Sequence, residues 1–180
     1  MFGFFEQLLH GRSDPKQQAV RSFQSASLSR RKRRRVKLGI AYDQKLISTL
    51  KIENETLIEE FGRVFADDFR AHDFTHLSQQ LSEFKVIFQN HLITENVKLF
   101  CYLEQQGMND PSLLSSVRTF RKEINYWSNA VIGFCKKYEQ PLAVFMHQES
   151  FKNEYQAIGQ ALIHRVQLVE SEMYLRYRKN

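Results

Sequence analysis

His91 and Glu95, two residue types that bind metals or carry protons, lie four positions apart in a segment of helical apolar periodicity. At 3.6 residues per turn, this spacing places imidazole and carboxylate on the same helix face, roughly 5–6 Å apart. Helical bundles present metal ligands to their cores in this way. A buried polar pair without a metal has the same spacing. The pattern therefore leaves two interpretations open, a metal site and a structural polar pair.

Two further polar residues stand where the apolar period requires a core side chain. Asn54 belongs to the first periodic segment of the chain and Arg165 to the last. Buried polar groups are costly unless they are paired. We therefore expect Asn54, His91, Glu95 and Arg165 to meet in one polar cluster inside the core.

Four long segments with apolar residues three and four apart must position this cluster, and each is typical of an amphipathic helix. Only short connections separate them, at 67–73, at 107–111 and around Pro141. Short connections favour antiparallel neighbours. The sequence thus predicts an all-α fold in which residues 41–180 form an up-down-up-down antiparallel four-helix bundle. Tyr126 and Trp127 are expected to fill its core.

The stretch His91-Leu-Ile-Thr-Glu95-Asn-Val-Lys-Leu-Phe-Cys-Tyr-Leu103 resembles the second-helix signature of hemerythrin-like (HHE cation-binding) domains. In that signature, His-x-x-x-Glu precedes an apolar Leu-Phe pair. Residues 50–58 are similar to the first helix of the family and residues 161–174 to its fourth helix. The resemblance implies a four-helix bundle around a di-iron centre, held by two His of the odd helices and two His-x-x-x-Glu pairs.

An internal repeat accompanies this resemblance. A shift of 74 residues superposes His91 on Arg165 and Glu95 on Val169. The domain therefore reads as two helix pairs, each once built around one His-x-x-x-Glu motif.

The ligand set that the resemblance implies is incomplete in this chain. Asn54 stands where the first helix usually supplies a His, and the repeat carries it to Ser128. Of the implied set only His91 and Glu95 remain, and two ligands do not hold two irons. We expect Arg165 to place its guanidinium where the family places a cation and to pair with Glu95. No cofactor is therefore expected, and iron only if the ancestral site is retained.

Most of the positive charge lies before the predicted helices. Residues 1–40 have a net charge of +8, whereas the remaining 140 residues have −2. Residues 1–40 are predicted to form a basic, partly flexible arm, with nucleic acid, an anionic membrane surface or an acidic protein as its partner. The residues predicted to bind this partner are Arg30, Arg31, Lys32, Arg33, Arg34, Arg35 and Lys37.

The remaining residues give no sign of catalytic machinery. The sequence has no nucleophile at a recognisable spacing from a base, no glycine-rich phosphate loop, no CxxC pair and no HExxH helix. Four other histidines are expected at the surface or rim, namely His72, His76, His147 and His164.

Cysteine usage and hydropathy indicate a cytoplasmic protein. Cys101 and Cys135 fall among apolar neighbours in helical patterns, as reduced core thiols do. No apolar run approaches the roughly 18–20 residues of a membrane span. We expect a non-catalytic regulatory or binding protein. The alternatives are a functional non-haem iron sensor or carrier of oxygen or redox state, and a nucleic-acid-associated adaptor.

Overall fold

The computed structural model describes residues 39–63 and 69–179, and every regular element within these ranges is helical. The predicted all-α class is confirmed. The helices are α1 (Leu46–Arg63), α2 (Phe74–Thr94), α3 (Cys101–Gln106), α4 (Pro111–Tyr138), α5 (Pro141–Met146) and α6 (Gln148–Leu168).

Local sequence determines where two of these helices begin. The Asp110 carboxylate accepts hydrogen bonds from the backbone N–H groups of Ser112 and Leu113, at 3.0 and 3.1 Å, and so caps α4. Pro111 takes the first helical position, where a missing N–H leaves no hydrogen bond unmade. Asp73 caps α2 in the same way through the N–H of His76 at 3.0 Å.

Two π-helical turns interrupt the regular winding. Glu95–Phe100 joins α2 to α3 so that the three segments continue as one helix, and Val169–Met173 follows α6. The two turns begin 74 residues apart, which is the shift that relates the two halves of the sequence. The internal repeat therefore extends from residue types to backbone geometry. Short π turns of this kind are frequent at functional sites.

The buried apolar side chains form two clusters. The first joins the C-terminal halves of α1 and α4 to most of α2, to α5 and to α6. The second joins the N-terminal halves of α1 and α4 to α3 and to both π turns. Each of the four long helical stretches thus contributes to both clusters.

The first described residues belong to the helical unit, which begins at Gly39. The Ile40 N–H donates to Gln105 Oε1 at 2.8 Å, and Gln105 Nε2 donates to the Ile40 carbonyl at 3.3 Å. Tyr42 stacks on Tyr177, with ring centroids 5.0 Å apart. These contacts fix the segment before α1 beside α3 and the C-terminal segment. In the described part of the chain, no helix is both long and apolar enough to cross a membrane.

One expected core position is taken by a different residue. Tyr126 is 69% exposed and Trp127 is half-buried, whereas Ser128 is buried. The inward face of α4 runs from Ile124 to Ser128 to Val131, because a step of four and then three residues keeps an α-helical position facing the same side. The prediction that Tyr126 and Trp127 fill the core is therefore wrong.

Candidate functional site: a buried polar layer

A layer of polar side chains separates the two apolar clusters. We use the name polar layer for Asn54, His91, Glu95, Ser128 and Arg165, which come from all four long helical stretches. All five are buried, and Asn54, Glu95 and Arg165 have no exposed surface. Along each helical stretch, the layer residue lies between the residues that join one apolar cluster and those that join the other. The four residues expected to form a core cluster thus lie at the same level of the core.

An ion pair occupies the centre of the polar layer. Arg165 Nη2 donates to Glu95 Oε2, and Arg165 Nε donates to Ser128 Oγ at 3.0 Å. The guanidinium carbon lies 5.6 Å from the centre of the Phe88 ring, within range of a cation–π attraction. Ser128 passes its own proton to the Ile124 carbonyl at 2.8 Å. One positive and one negative charge therefore neutralise each other where water is excluded.

The second carboxylate oxygen of Glu95 faces a phenol and an imidazole. Tyr174 OH donates to Glu95 Oε1 at 3.4 Å and accepts from Asn54 Nδ2 at 3.1 Å. His91 Nε2 lies 3.9 Å from Glu95 Oε1. Burial, and then the negative charge of Glu95, raise the pKa of Tyr174 well above its usual range. The phenol therefore stays protonated and serves as a permanent donor to Glu95.

Two carboxylates connect the polar layer to the surface. His91 Nδ1 lies 2.7 Å from Glu53 Oε2, and the Glu53 side chain is 38% exposed. Asn54 Nδ2 donates to Glu170 Oε1 at 3.1 Å, and Glu170 is half-buried. A continuous set of polar contacts thus runs from solvent through the layer to Arg165.

These residues do not fit the di-iron centre that the sequence resemblance implies. The Arg165 guanidinium has no lone pair, repels a cation and already engages Glu95. His91 turns one ring nitrogen to Glu53 and the other toward Glu95, so its two carboxylate neighbours lie on opposite sides of the imidazole. Within residues 39–63 and 69–179, no three His, Cys, Asp or Glu side chains come together as a metal site.

The remaining candidates lie away from the layer. His72, His76, His147 and His164 are all exposed, as expected for surface or rim residues. His164 packs against the edge of Trp127, with ring centroids 5.3 Å apart. The basic cluster of Arg30 to Lys37 lies outside the described residues.

Sequence reasoning missed four participants, namely Ser128, Tyr174, Glu53 and Glu170. The 74-residue repeat signals the first two, because it carries Asn54 to Ser128 and Phe100 to Tyr174. Glu53 and Glu170 lie beside seam positions rather than on them, so apolar periodicity gives no signal for either. Comparison of the chain with protein-family models, with curated proteins and with solved structures finds no match.

Proposed function

We propose that this protein is a hemerythrin-like four-helix bundle in which an arginine has replaced the metal centre, and that it acts as a non-catalytic regulatory or binding protein. The order of the two apolar clusters supports the bundle. The chain meets them in one order along α1 and α4 and in the opposite order along α2 and α6. That alternation is expected when consecutive long helices run in opposite directions.

The ion pair of Arg165 and Glu95 carries the proposal. The two residues stand at repeat-related motif positions, one in each half of the chain, and their side chains meet in the core. A guanidinium keeps its charge at any physiological pH and offers planar donors to a carboxylate. Arg165 thereby supplies the positive charge that iron supplies in the family.

The chemistry of the described nucleophiles also favours a non-catalytic role. Ser128 accepts a hydrogen bond from Arg165 and donates to a backbone carbonyl, so no base activates its hydroxyl. Burial raises the pKa of the Cys135 thiol to about 12, so it is protonated and unreactive at neutral pH. Such a thiol stays reduced most readily in the cytoplasm, where we place the protein.

Metal analysis of the full chain, expressed with added iron and purified without chelators, tests the replacement. We expect no stoichiometric iron in the wild type. The variant Arg165→His/Val169→Glu restores the second His-x-x-x-Glu motif opposite His91 and Glu95 and should bind at least about one metal per chain. Arg118→His/Val86→Glu makes the same two exchanges at exposed positions and should bind none.

Two outcomes would contradict the proposal. About two irons per wild-type chain, with near-ultraviolet absorption bands, would establish the alternative of a working iron sensor or carrier. A folded restored variant that binds no metal would show that the two motifs do not share an ancestral site.

We further propose that the basic segment Arg30–Lys37 binds a polyanionic partner. Seven positive charges within eight residues repel one another, and phosphate groups relieve this repulsion. The test compares the wild-type chain with a variant carrying Gln at all seven positions, using duplex DNA and anionic vesicles. A nucleic-acid adaptor loses DNA affinity and its salt dependence, by a slope of about 0.9 per phosphate contact. Loss of vesicle binding alone would favour a membrane partner.

A matched control removes seven exposed charges from the helices. Binding should survive Gln substitution of Lys45, Lys51, Arg70, Arg118, Lys122, Lys136 and Lys152. If both variants weaken binding equally, net charge alone is responsible and the arm is not a site.

A further inference from the structure

Two buried polar atoms of the polar layer have no hydrogen-bond partner among the described residues. They are His91 Nε2 and Asn54 Oδ1. His91 is 4% exposed and Asn54 is fully buried, so bulk water does not reach either atom freely. Because an unmade hydrogen bond of a buried group costs about 1–3 kcal/mol, such atoms in a native core call for a bound partner.

The contacts around these atoms fix where they point. Glu53 takes up the Nδ1 side of His91, which leaves Nε2 directed toward Glu95 Oε1 at 3.9 Å, beyond hydrogen-bond distance. The Asn54 amide nitrogen faces both Glu170 and Tyr174, so the amide oxygen is turned away from them. Tyr174 also contacts Glu95 Oε1. Asn54 and His91 are thus both held within one or two contacts of the same carboxylate oxygen.

The charges around this point select the chemical class of the ligand. A cation is disfavoured because the Arg165 guanidinium already neutralises Glu95. An anion is disfavoured because Glu95 Oε1 and Asn54 Oδ1 are both acceptors. Water donates two hydrogen bonds and accepts two, so it can pair with both acceptors and with His91 Nε2 in either protonation state. A buried water typically makes about three hydrogen bonds to otherwise unsatisfied groups.

We propose that the polar layer binds one internal water molecule, held by His91 Nε2, Asn54 Oδ1 and Glu95 Oε1. The water completes the hydrogen bonding of a layer from which the guanidinium excludes metal. The inference rests on the described contacts and does not require the hemerythrin kinship, which metal analysis tests separately.

Oxygen-17 relaxation dispersion on the full chain tests the proposal, because it counts waters that stay inside a protein for longer than nanoseconds. His91→Phe keeps a planar ring without Nε2, and Asn54→Leu removes Oδ1. Each variant should have one long-lived water fewer than the wild type. Ser78→Ala removes a buried hydroxyl that bonds the Tyr138 carbonyl at 3.1 Å, roughly 20 Å along the helix from His91, and should leave the count unchanged.

Equal counts in the wild type and both layer variants would overturn the proposal. A crystal structure of the wild-type chain decides the matter if the variants do not fold. Density at hydrogen-bond distance from His91 Nε2, without anomalous scattering, is the expected result. Contact between the side chains with no density between them, or a peak at about 2.0–2.2 Å with anomalous signal, would refute the water and, in the second case, indicate a metal.

Discussion

Arg165 Nη2 donates a hydrogen bond to Glu95 Oε2 and thereby joins α6 to the π turn after α2, across 70 residues of sequence. Neither side chain has any exposed surface. Removing two charges from water costs several kcal/mol for each ion, so such a pair adds little net stability. Its effect is to penalise any packing that separates the two residues. The pair therefore specifies how the helices align at the level of the polar layer.

Breaking this ion pair should cost more than removing it. Glu95→Leu or Arg165→Met alone leaves one buried charge without its partner, and each should lower the free energy of unfolding by about 3–5 kcal/mol. The double variant removes both charges and should recover most of that loss or exceed wild-type stability. Urea unfolding of the full chain measures all three.

The exposed pair of Arg63 and Glu60 is the control for this cycle. Its atoms are 2.9 Å apart, but the two side chains are 63% and 32% exposed. Glu60→Ala should change the free energy of unfolding by less than about 1 kcal/mol. Additive losses in the double variant of Glu95 and Arg165 would contradict the coupling.

Tyr174→Phe should destabilise the protein by about 1–3 kcal/mol, because it removes a donor to Glu95 and an acceptor for Asn54 while keeping the aromatic ring. The shift in the urea midpoint measures the loss. Tyr126→Phe removes the same hydroxyl from a side chain that is 69% exposed and should have almost no effect. Equal midpoints for the two variants would show that the Tyr174 hydroxyl contributes nothing to the layer.

The Cys135 thiol should make stability fall at alkaline pH. Its pKa rises from 9.0 to about 12 on folding, because burial disfavours the thiolate. Above pH 9 the unfolded chain releases this proton while the folded chain keeps it. Stability present below pH 9 is therefore lost as pH rises toward 12, at up to about 1.36 kcal/mol per unit.

Cys135→Ala should flatten this dependence, as measured by urea unfolding at about pH 8 and about pH 10.5. The difference in unfolding free energy between variant and wild type should shrink at the higher pH. Val131→Ala truncates another fully buried side chain of the same apolar cluster, without a titrating group, and its deficit should stay constant. A constant deficit for Cys135→Ala as well would contradict the raised pKa.

Gln105→Ala should release the segment before α1 from the helical unit. The substitution removes both hydrogen bonds that the Gln105 amide makes with the Ile40 backbone. Hydrogen exchange at the Ile40 amide should accelerate, and the free energy of unfolding should fall by about 0.5–1.5 kcal/mol. Gln79→Ala, which removes only an exposed contact with Glu83 on the same helix, should leave Ile40 exchange unchanged.

Much of the polar layer was predictable from the sequence. Helical periodicity is a local property, and a residue at an inward position of an amphipathic helix must face the core wherever the partner helices lie. The inward positions of Asn54, His91, Glu95 and Arg165 follow from this. The pairing of Glu95 with Arg165 was expected because one unpaired charge of each sign on inward faces requires compensation.

Only the tertiary structure decided which atoms meet. The choice of Ser128 over Trp127 on α4 depends on the rotation of that helix against its neighbours, which periodicity leaves uncertain by one residue. The contacts of Tyr174, Glu53 and Glu170 depend on helix register and on the π turns, and neither is a local property of the sequence. Spacing along one helix therefore determines a face, whereas hydrogen bonding across helices requires the packed structure.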